Sequence, residues 1–384
     1  MFSTHFKRPR RRRLALASIL GILALALVLP GTVLASFGVK EPKVMTRNLY
    51  LGADLTPAIA APSLEALTAA NGQILREVTA NDFPTRAKGL AAEIRQQRPD
   101  LIGLQEVALW RTAPPSIVPL LTGPSATTVR YDFLDELLDE INGHLFGPKY
   151  EIVVVQEEFD LEAPADENGK PGDGVPAQGI PNAEINGRLT MRDVILAKQG
   201  PFVHTWDAES GNFNTLLEVP ILGQPLPIAR GWTATEAWVR GAGPFRFVNT
   251  HLEAFHPLIR QAQAAELVAP GGPATSENPV VLLGDLNSDD DTVEGADRLA
   301  YETIIAAGFV SRSTDEPLSC CLNSSLLGEG EGGNVADFDH QVDHILTDDP
   351  ENVTLEDSVV TGLFPVNGFW NSDHAGITST LEFD

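Results

Sequence analysis

From Lys43 to Leu381 the chain repeats one device: a short apolar run of strand length, closed in most cases by an acid, an amide or a histidine. The runs are Lys43 to Leu51, Asp100 to Gln105, Tyr150 to Val155, Leu189 to Ala197, Thr233 to Val239, Phe245 to Thr250, Val280 to Leu283, Val342 to Leu346 and Ile377 to Leu381. Amphipathic stretches lie between several of them. Arg86 to Gln97 places Leu90 and Ile94 on one helical face, and Tyr131 to Ile141 does the same with Phe133, Leu134, Leu137, Leu138 and Ile141. Pro257 to Val268 and Ala296 to Ala307 are two further helix candidates. Strand runs that follow each other without a helix, as from Thr233 to Thr250, favour mixed or antiparallel sheets over one doubly wound parallel sheet. The expected fold is an α/β sandwich with sheets within and helices outside. It forms one domain over 36–384, with surface insertions near 111–128, 160–187 and 311–335, where Pro, Gly, Ser and Asp accumulate. No internal repeat interrupts it.

The first 35 residues follow another logic. Lys7, Arg8 and Arg10 to Arg13 form a basic block, Leu14 to Leu29 is an apolar run, and Val33-Leu34-Ala35 is a small-residue cleavage pattern. This predicts a signal peptide cleaved near Ala35 and a secreted, extracellular mature chain. An uncleaved membrane anchor is the alternative, although the run of 16 residues is shorter than the ~20 a spanning helix needs. The whole chain has 27 basic and 52 acidic residues and a net charge of -25. Removing the leader takes six basic and no acidic residues, leaving a net charge of about −31. A surface that acidic argues against a stoichiometric nucleic-acid complex and is compatible with divalent cations. The only two cysteines, Cys320 and Cys321, are adjacent, so they form at most one vicinal bridge. The mature protein is expected to be monomeric.

The residues that close the runs carry the chemistry. Asn48 closes the first, Glu106 follows Leu104-Gln105, His251 follows Asn249-Thr250, and Asp285 and Asn287 follow Gly284. Asp343 opens Asp343-His-Ile-Leu, and Ser372-Asp373-His374 precedes the last run. Strand ends are where an α/β sheet delivers side chains into a crevice. Carboxylate and amide oxygens converging there suit Mg²⁺ or Mn²⁺, which need only one or two protein carboxylates besides a phosphate. Each residue alone reads equally well as a helix cap, a turn or a surface charge. Their joint order is more restrictive.

That ordered set resembles the endonuclease/exonuclease/phosphatase superfamily, which includes pancreatic deoxyribonuclease, abasic-site endonucleases, inositol polyphosphate phosphatases and bacterial sphingomyelinases. The resemblance runs from about Lys43 to Leu381 and implies a four-layered α/β sandwich, two packed mixed β-sheets flanked by helices, and metal-dependent hydrolysis of a phosphoester. It implies Glu106 as principal metal ligand, with Asn48 and Asp373 on the metal shell. His374 would be the general base, oriented by Asp343 through its other ring nitrogen. Asp285 and Asn287 would position water and phosphoryl oxygens, and His251 would contact the phosphate or protonate the leaving oxygen.

Some positions depart from that pattern. Two residues after Glu106, where nuclease members often carry arginine, stands Ala108, and the next basic residue is Arg111. Arg188 and Arg192 flank a strand resembling the family's substrate-contacting strand and are candidate phosphate contacts, or else solvated strand-edge charges. Asp285 to Asp291 begins like an EF-hand loop but has Asp290 and Ala296 where glycine and glutamate are required, so the EF-hand is rejected. Structural Ca²⁺ at Asp289 to Asp291, or at Asp166, Asn168 and Asp173, stays open. Leu216 to Ile228, apolar and interrupted by prolines, is either a buried edge hairpin or a membrane-contacting loop. The expected substrate is a phosphodiester in nucleic acid or in a phospholipid headgroup. The alternatives are a nucleotide, sugar or inositol phosphate monoester, and a binding protein that keeps the fold without the chemistry.

Overall fold

A computed structural model describes residues 41–384 except 171–179, 181, 290–296 and 314–317. The leader expected at 1–35 therefore lies outside the described residues, as do Asp173, Asp290 and Asp291. Among the described residues, no helix is long and apolar enough to cross a membrane.

The chain opens with β1 (Lys43–Asn48), α1 (Thr56–Ile59), α2 (Leu64–Ala80), α3 (Phe83–Gln97), β2 (Leu101–Gln105), β3 (Leu109–Ala113), α4 (Val118–Thr122), β4 (Thr128–Asp132) and α5 (Phe133–Asn142). Next come the long β5 (Tyr150–Ala165) and β6 (Ile185–Lys198), then β7 (Val203–Asn212), β8 (Leu217–Ile221), β9 (Gln224–Ile228), β10 (Gly231–Val239) and β11 (Pro244–His251). It closes with α6 (Pro257–Val268), β12 (Val280–Asp285), α7 (Leu299–Ala306), β13 (Val310–Ser311), β14 (Asp343–Thr347), β15 (Val353–Thr361) and β16 (Gly376–Phe383). One sheet has the order β15-β16-β1-β2-β6-β3-β4, with β5 also on β6, and the other runs β13-β14-β12-β11-β10-β7. Both are mixed: β1 with β2 and β11 with β12 are parallel, while the other pairings are antiparallel.

Alternation along the central strands explains the four layers. Leu101 of β2 and Val281 and Leu283 of β12 point between the sheets, where they meet Phe245, Phe247 and Ile377. Ile102 and Leu104 of β2 point outward against Leu90 and Ile94 of α3 and Leu137 of α5. Val280 and Leu282 of β12 point outward against Leu267 of α6 and Ile304 of α7. Both faces of each central strand are thus covered, which is why those runs read as continuously apolar. The inner faces approach closely at Gly103. A Cβ there would stand 2.3 Å from Leu283 Cδ1 and 2.5 Å from Asn249 Oδ1.

The stretches expected as surface insertions are more ordered than their composition suggested. Residues 111–128 include part of β3 and the helix α4, and 160–165 complete β5. In 311–335, Cys320, Leu322 and Leu326 are buried, and both leucines pack with Tyr50 and Trp370. Burial there comes largely from partners distant in sequence, Tyr50 and Trp370, which composition does not register. The α2 helix, not singled out by the sequence reading, is N-capped by Ser63, whose Oγ accepts from Ala66 N at 3.1 Å.

Candidate active site at the strand ends

Sheet register gathers the strand-closing residues at one end of the sandwich. Asn48 of β1 is paired with Gln105 of β2, so Glu106 emerges beside it. Across the second sheet, His251 is paired with Asp285 and Asp285 with Asp343. His374 enters from the loop before β16, whose Ile377 pairs with Thr46 of β1. Every residue the resemblance assigned to catalysis or to the metal shell reaches this end, whereas Asp166 and Asn168, weighed for calcium, lie against Thr68 and Glu184.

Asp285 is the hub. Its Oδ2 accepts from Asn48 Nδ2 at 3.0 Å and lies 3.6 Å from His251 Nε2 and 3.7 Å from His374 Nε2. Its Oδ1 accepts from the backbone N–H of Asn287 at 2.8 Å, and the Asn287 side chain donates to Leu252 O at 3.0 Å. His374 Nδ1 pairs with Asp343 Oδ2 at 2.8 Å. Burial by itself would push the His374 imidazole down, but the carboxylates of Asp343, Asp285 and Asp373 hold it well above its ordinary value. Burial raises Asp285 to about 6 despite the His374 charge beside it.

Glu106 and Asp373 form the oxygen-rich wall. Glu106 Oε2 accepts from Leu51 N at 2.7 Å, and Asp373 Oδ1 accepts from Ser372 Oγ at 3.3 Å. Burial pushes Glu106 up and raises Asp373 to about 6, and the Glu106 charge adds to the rise at Asp373. Two carboxylates driven up by burial and repulsion, with the Asn48 amide alongside, are hard donors that suit an oxygen-seeking divalent cation.

Backbone strain marks the same place. Tyr50, Glu106 and Asn287 have φ of 56°, 54° and 48°, in the left-handed region that residues with a Cβ seldom adopt. Buried arginines hold these turns. Arg86 donates to Leu49 O at 2.7 Å, Asn371 O at 3.0 Å and Tyr50 O at 3.2 Å, while Arg47 donates to His374 O and pairs with Glu93.

Arg188 and Arg192, read from the sequence as candidate phosphate contacts, do not join the cluster. Arg188 donates to both oxygens of Asp160, at 2.8 and 2.6 Å, and to Ala126 O. Arg192 donates to Val107 O at 2.9 Å and Asp132 Oδ1 at 2.6 Å. Their charges brace β6 against neighbouring segments, and Arg111 likewise contacts Thr190 and Asp160. The arginine at the site is instead Arg230, whose guanidinium NH1 lies 3.0 and 3.2 Å from the two ring nitrogens of His251. No local signal identified it, because it precedes β10 outside any motif. Burial, the Arg230 charge and His374 push His251 well below its ordinary value, so it is a neutral imidazole.

Two further groups stand at the site that the sequence did not assign to it. Glu158 of β5 and Asp193 of β6 converge with His251 within 4.8 Å. Burial raises Glu158 to about 7 and Asp193 well above the ordinary carboxylate range. The adjacent cysteines form a vicinal bridge, and their Sγ atoms lie 3.7 and 4.0 Å from His374 Nε2.

The Endonuclease/Exonuclease/phosphatase family profile matches residues 70–374. Sequence comparison with curated proteins gives no match. Solved structures of similar fold include an endonuclease/exonuclease/phosphatase family protein from Leptotrichia buccalis (13% identity, covering 89% of this chain and 100% of that one, TM-score 0.47). A mannosyl-6-phosphatase from Bacteroides thetaiotaomicron is similar at 15% identity, with 89% and 100% covered and TM-score 0.46. The human Nocturnin catalytic domain with bound sulfate is similar at 14% identity, with 90% and 95% covered and TM-score 0.47. With the profile spanning most of its length and the strand-end residues assembled as one site, the chain belongs to the endonuclease/exonuclease/phosphatase family of phosphoester hydrolases.

Proposed function

We propose that the protein is an exported, divalent-metal-dependent phosphodiesterase in which water, activated by His374, attacks phosphorus in line. The observation that carries this reading is the His374–Asp343 pair at 2.8 Å, with the second ring nitrogen turned toward Asp285. Asp343 fixes the tautomer, leaving Nε2 to take the proton of an attacking water. Asn48, Asp285 and Asn287 fix the floor on which water and phosphoryl oxygens rest. Arg230 supplies positive charge to the phosphoryl group, and the neutral His251 can donate a hydrogen bond to a phosphoryl or leaving oxygen. A Mg²⁺ or Mn²⁺ ion held by Glu106, Asp373 and Asn48 would offset charge on the phosphoryl oxygens. Export is supported by the basic block, apolar run and Val33-Leu34-Ala35 pattern of the first 35 residues.

The test compares bis(p-nitrophenyl) phosphate with p-nitrophenyl phosphate, each with Mg²⁺ and with EDTA. Faster, metal-dependent cleavage of the diester is expected. Preference for the monoester would make the protein a phosphomonoesterase, and inertness toward both would leave a binding protein on this fold.

A further inference from the structure

A cavity of about 350 Å³ opens directly off the proposed reaction centre, with Glu106, Asp373 and Arg230 at its polar end. Its remaining walls are mainly apolar, with Tyr50, Asp54, Thr56, Asn71 and Ser324 as the other polar residues among them. Leu51 and Leu55 precede α1, Trp110 comes from β3, Met191 from β6, and Val219 and Leu226 from the β8–β9 hairpin. The hairpin is a separate two-stranded sheet outside the sandwich. Ile221 of that hairpin packs on Ala61, Leu67 and Ala163, which fixes it as a side wall. The stretch read from the sequence as either a buried edge hairpin or a membrane loop therefore keeps Val219 and Ile228 buried, with Leu222 partly exposed at the turn. Phe255, also lining the cavity, is 58% exposed.

This lining discriminates between substrates. A nucleobase presents ring nitrogens and exocyclic groups that need hydrogen-bond partners, and burying them unpaired costs affinity. A polynucleotide also brings further phosphates, yet among the described residues Arg230 is the only basic side chain on these walls. An aliphatic or aryl group needs neither.

We propose that this cavity is the subsite for an apolar arm of the substrate, so that the phosphoester carries an alkyl or aryl group on one ester oxygen, seated between the β8–β9 hairpin and α1–α2. The inference rests on the reading of Glu106 and Asp373 as cation ligands and Arg230 as a phosphoryl contact beside His374, and it adds a binding determinant without adding a chemical step. The volume accommodates on the order of ten methylene groups, each somewhat smaller than a water's ~30 Å³ share of the liquid.

The test is a series of p-nitrophenyl alkyl phosphates, from methyl to decyl, assayed as monomers with Mg²⁺. kcat/KM is expected to rise by up to about fourfold per methylene until the cavity is filled. In Leu226→Arg the octyl-to-methyl ratio should collapse. If methyl p-nitrophenyl phosphate is cleaved but the rate is flat with chain length, or if a thymidine dinucleotide is cleaved better than the octyl ester, the apolar subsite is overturned while the phosphodiesterase reading stands. A binding arm separates the opposite failure. If no diester is cleaved, yet octylphosphonate raises the wild-type melting temperature more than methylphosphonate, the subsite stands and the reaction reading falls. Vesicles of dioleoylphosphatidylcholine identify the source of the arm: cleavage there as well as of the monomeric esters assigns it to a membrane lipid, and cleavage of the monomers alone to a soluble amphiphile. Both results support the subsite.

Discussion

His374 Nδ1 lies 2.8 Å from Asp343 Oδ2 across 31 residues of sequence, and the backbone carbonyl of the same histidine is held by the buried Arg47. The imidazole is thus anchored at both its ring and its main chain. His374→Ala should lower kcat by roughly 10²–10⁴-fold while changing KM much less. Asp343→Asn should keep the shape but favour the wrong tautomer, and the double variant should cost little more than the worse single one. Steady-state kinetics at saturating Mg²⁺ check this. A near-normal kcat in His374→Ala would remove it as the base.

Removing the metal should abolish turnover. EDTA should stop cleavage of bis(p-nitrophenyl) phosphate and Mg²⁺ or Mn²⁺ should restore it, while Glu106→Gln should weaken Mg²⁺ binding at least tenfold in titration calorimetry. Unchanged Mg²⁺ affinity in Glu106→Gln would place the cation elsewhere.

The raised carboxylates make metal-free stability fall with pH. Burial lifts Asp285 and Asp373 to about 6 and Glu158 to about 7, all above their unfolded values. Each therefore stabilises the folded chain fully below its unfolded pKa, and that contribution disappears as pH rises through the folded one. Between pH 5 and 8 these carboxylates, joined by the raised His374 and opposed by the lowered His251, should cost the EDTA-treated protein stability on the order of 1–3 kcal/mol. Carboxylates held low by their partners, such as Asp160 and Glu162, act at lower pH and leave this window alone. Mg²⁺ should accordingly raise the melting temperature more at pH 8 than at pH 5. An equal increment at both would contradict the assignment.

Arg230 contacts both ring nitrogens of His251, and its charge adds to the lowering of the His251 pKa that burial causes. Arg230→Ala should raise KM for a phosphodiester about tenfold or more and lift the His251 pKa, followed by ¹⁵N imidazole NMR. Arg230→Lys should restore the lowered His251 pKa better than the KM, because a lysine restores the charge but not the planar guanidinium. An unmoved His251 pKa in Arg230→Ala would show that burial alone keeps it neutral.

Gly103 sits where the two sheets approach closely, facing Leu283 and Asn249. Gly103→Ala should destabilise by about 1–3 kcal/mol, because the added methyl meets Leu283 and the Asn249 amide. Chemical denaturation measures it, and a neutral effect would mean that the sheets separate freely there.

The strand runs and the residues that close them were legible locally, because burial on both faces leaves an unbroken apolar signature and side chains at strand ends need no partner to be noticed. Asn48, Glu106, His251, Asp285, Asp343 and His374 could all be read that way. What each charge touches was decided only by tertiary structure. Arg188 and Arg192 had the residue type and the strand for a phosphate contact, yet Asp160 and Asp132, 28 and 60 residues away in sequence, take up their guanidiniums. Arg230 had no motif and reaches His251 because β10 and β11 pair Gly231 with His251. Likewise, Leu216 to Ile228 was legible as apolar, but that its Val219 and Leu226 line a cavity beside α1 and α2 was set by the fold. Apolarity and period are properties of a segment. Electrostatic pairing and the shape of a cavity are properties of distances between segments, which only the folded chain sets.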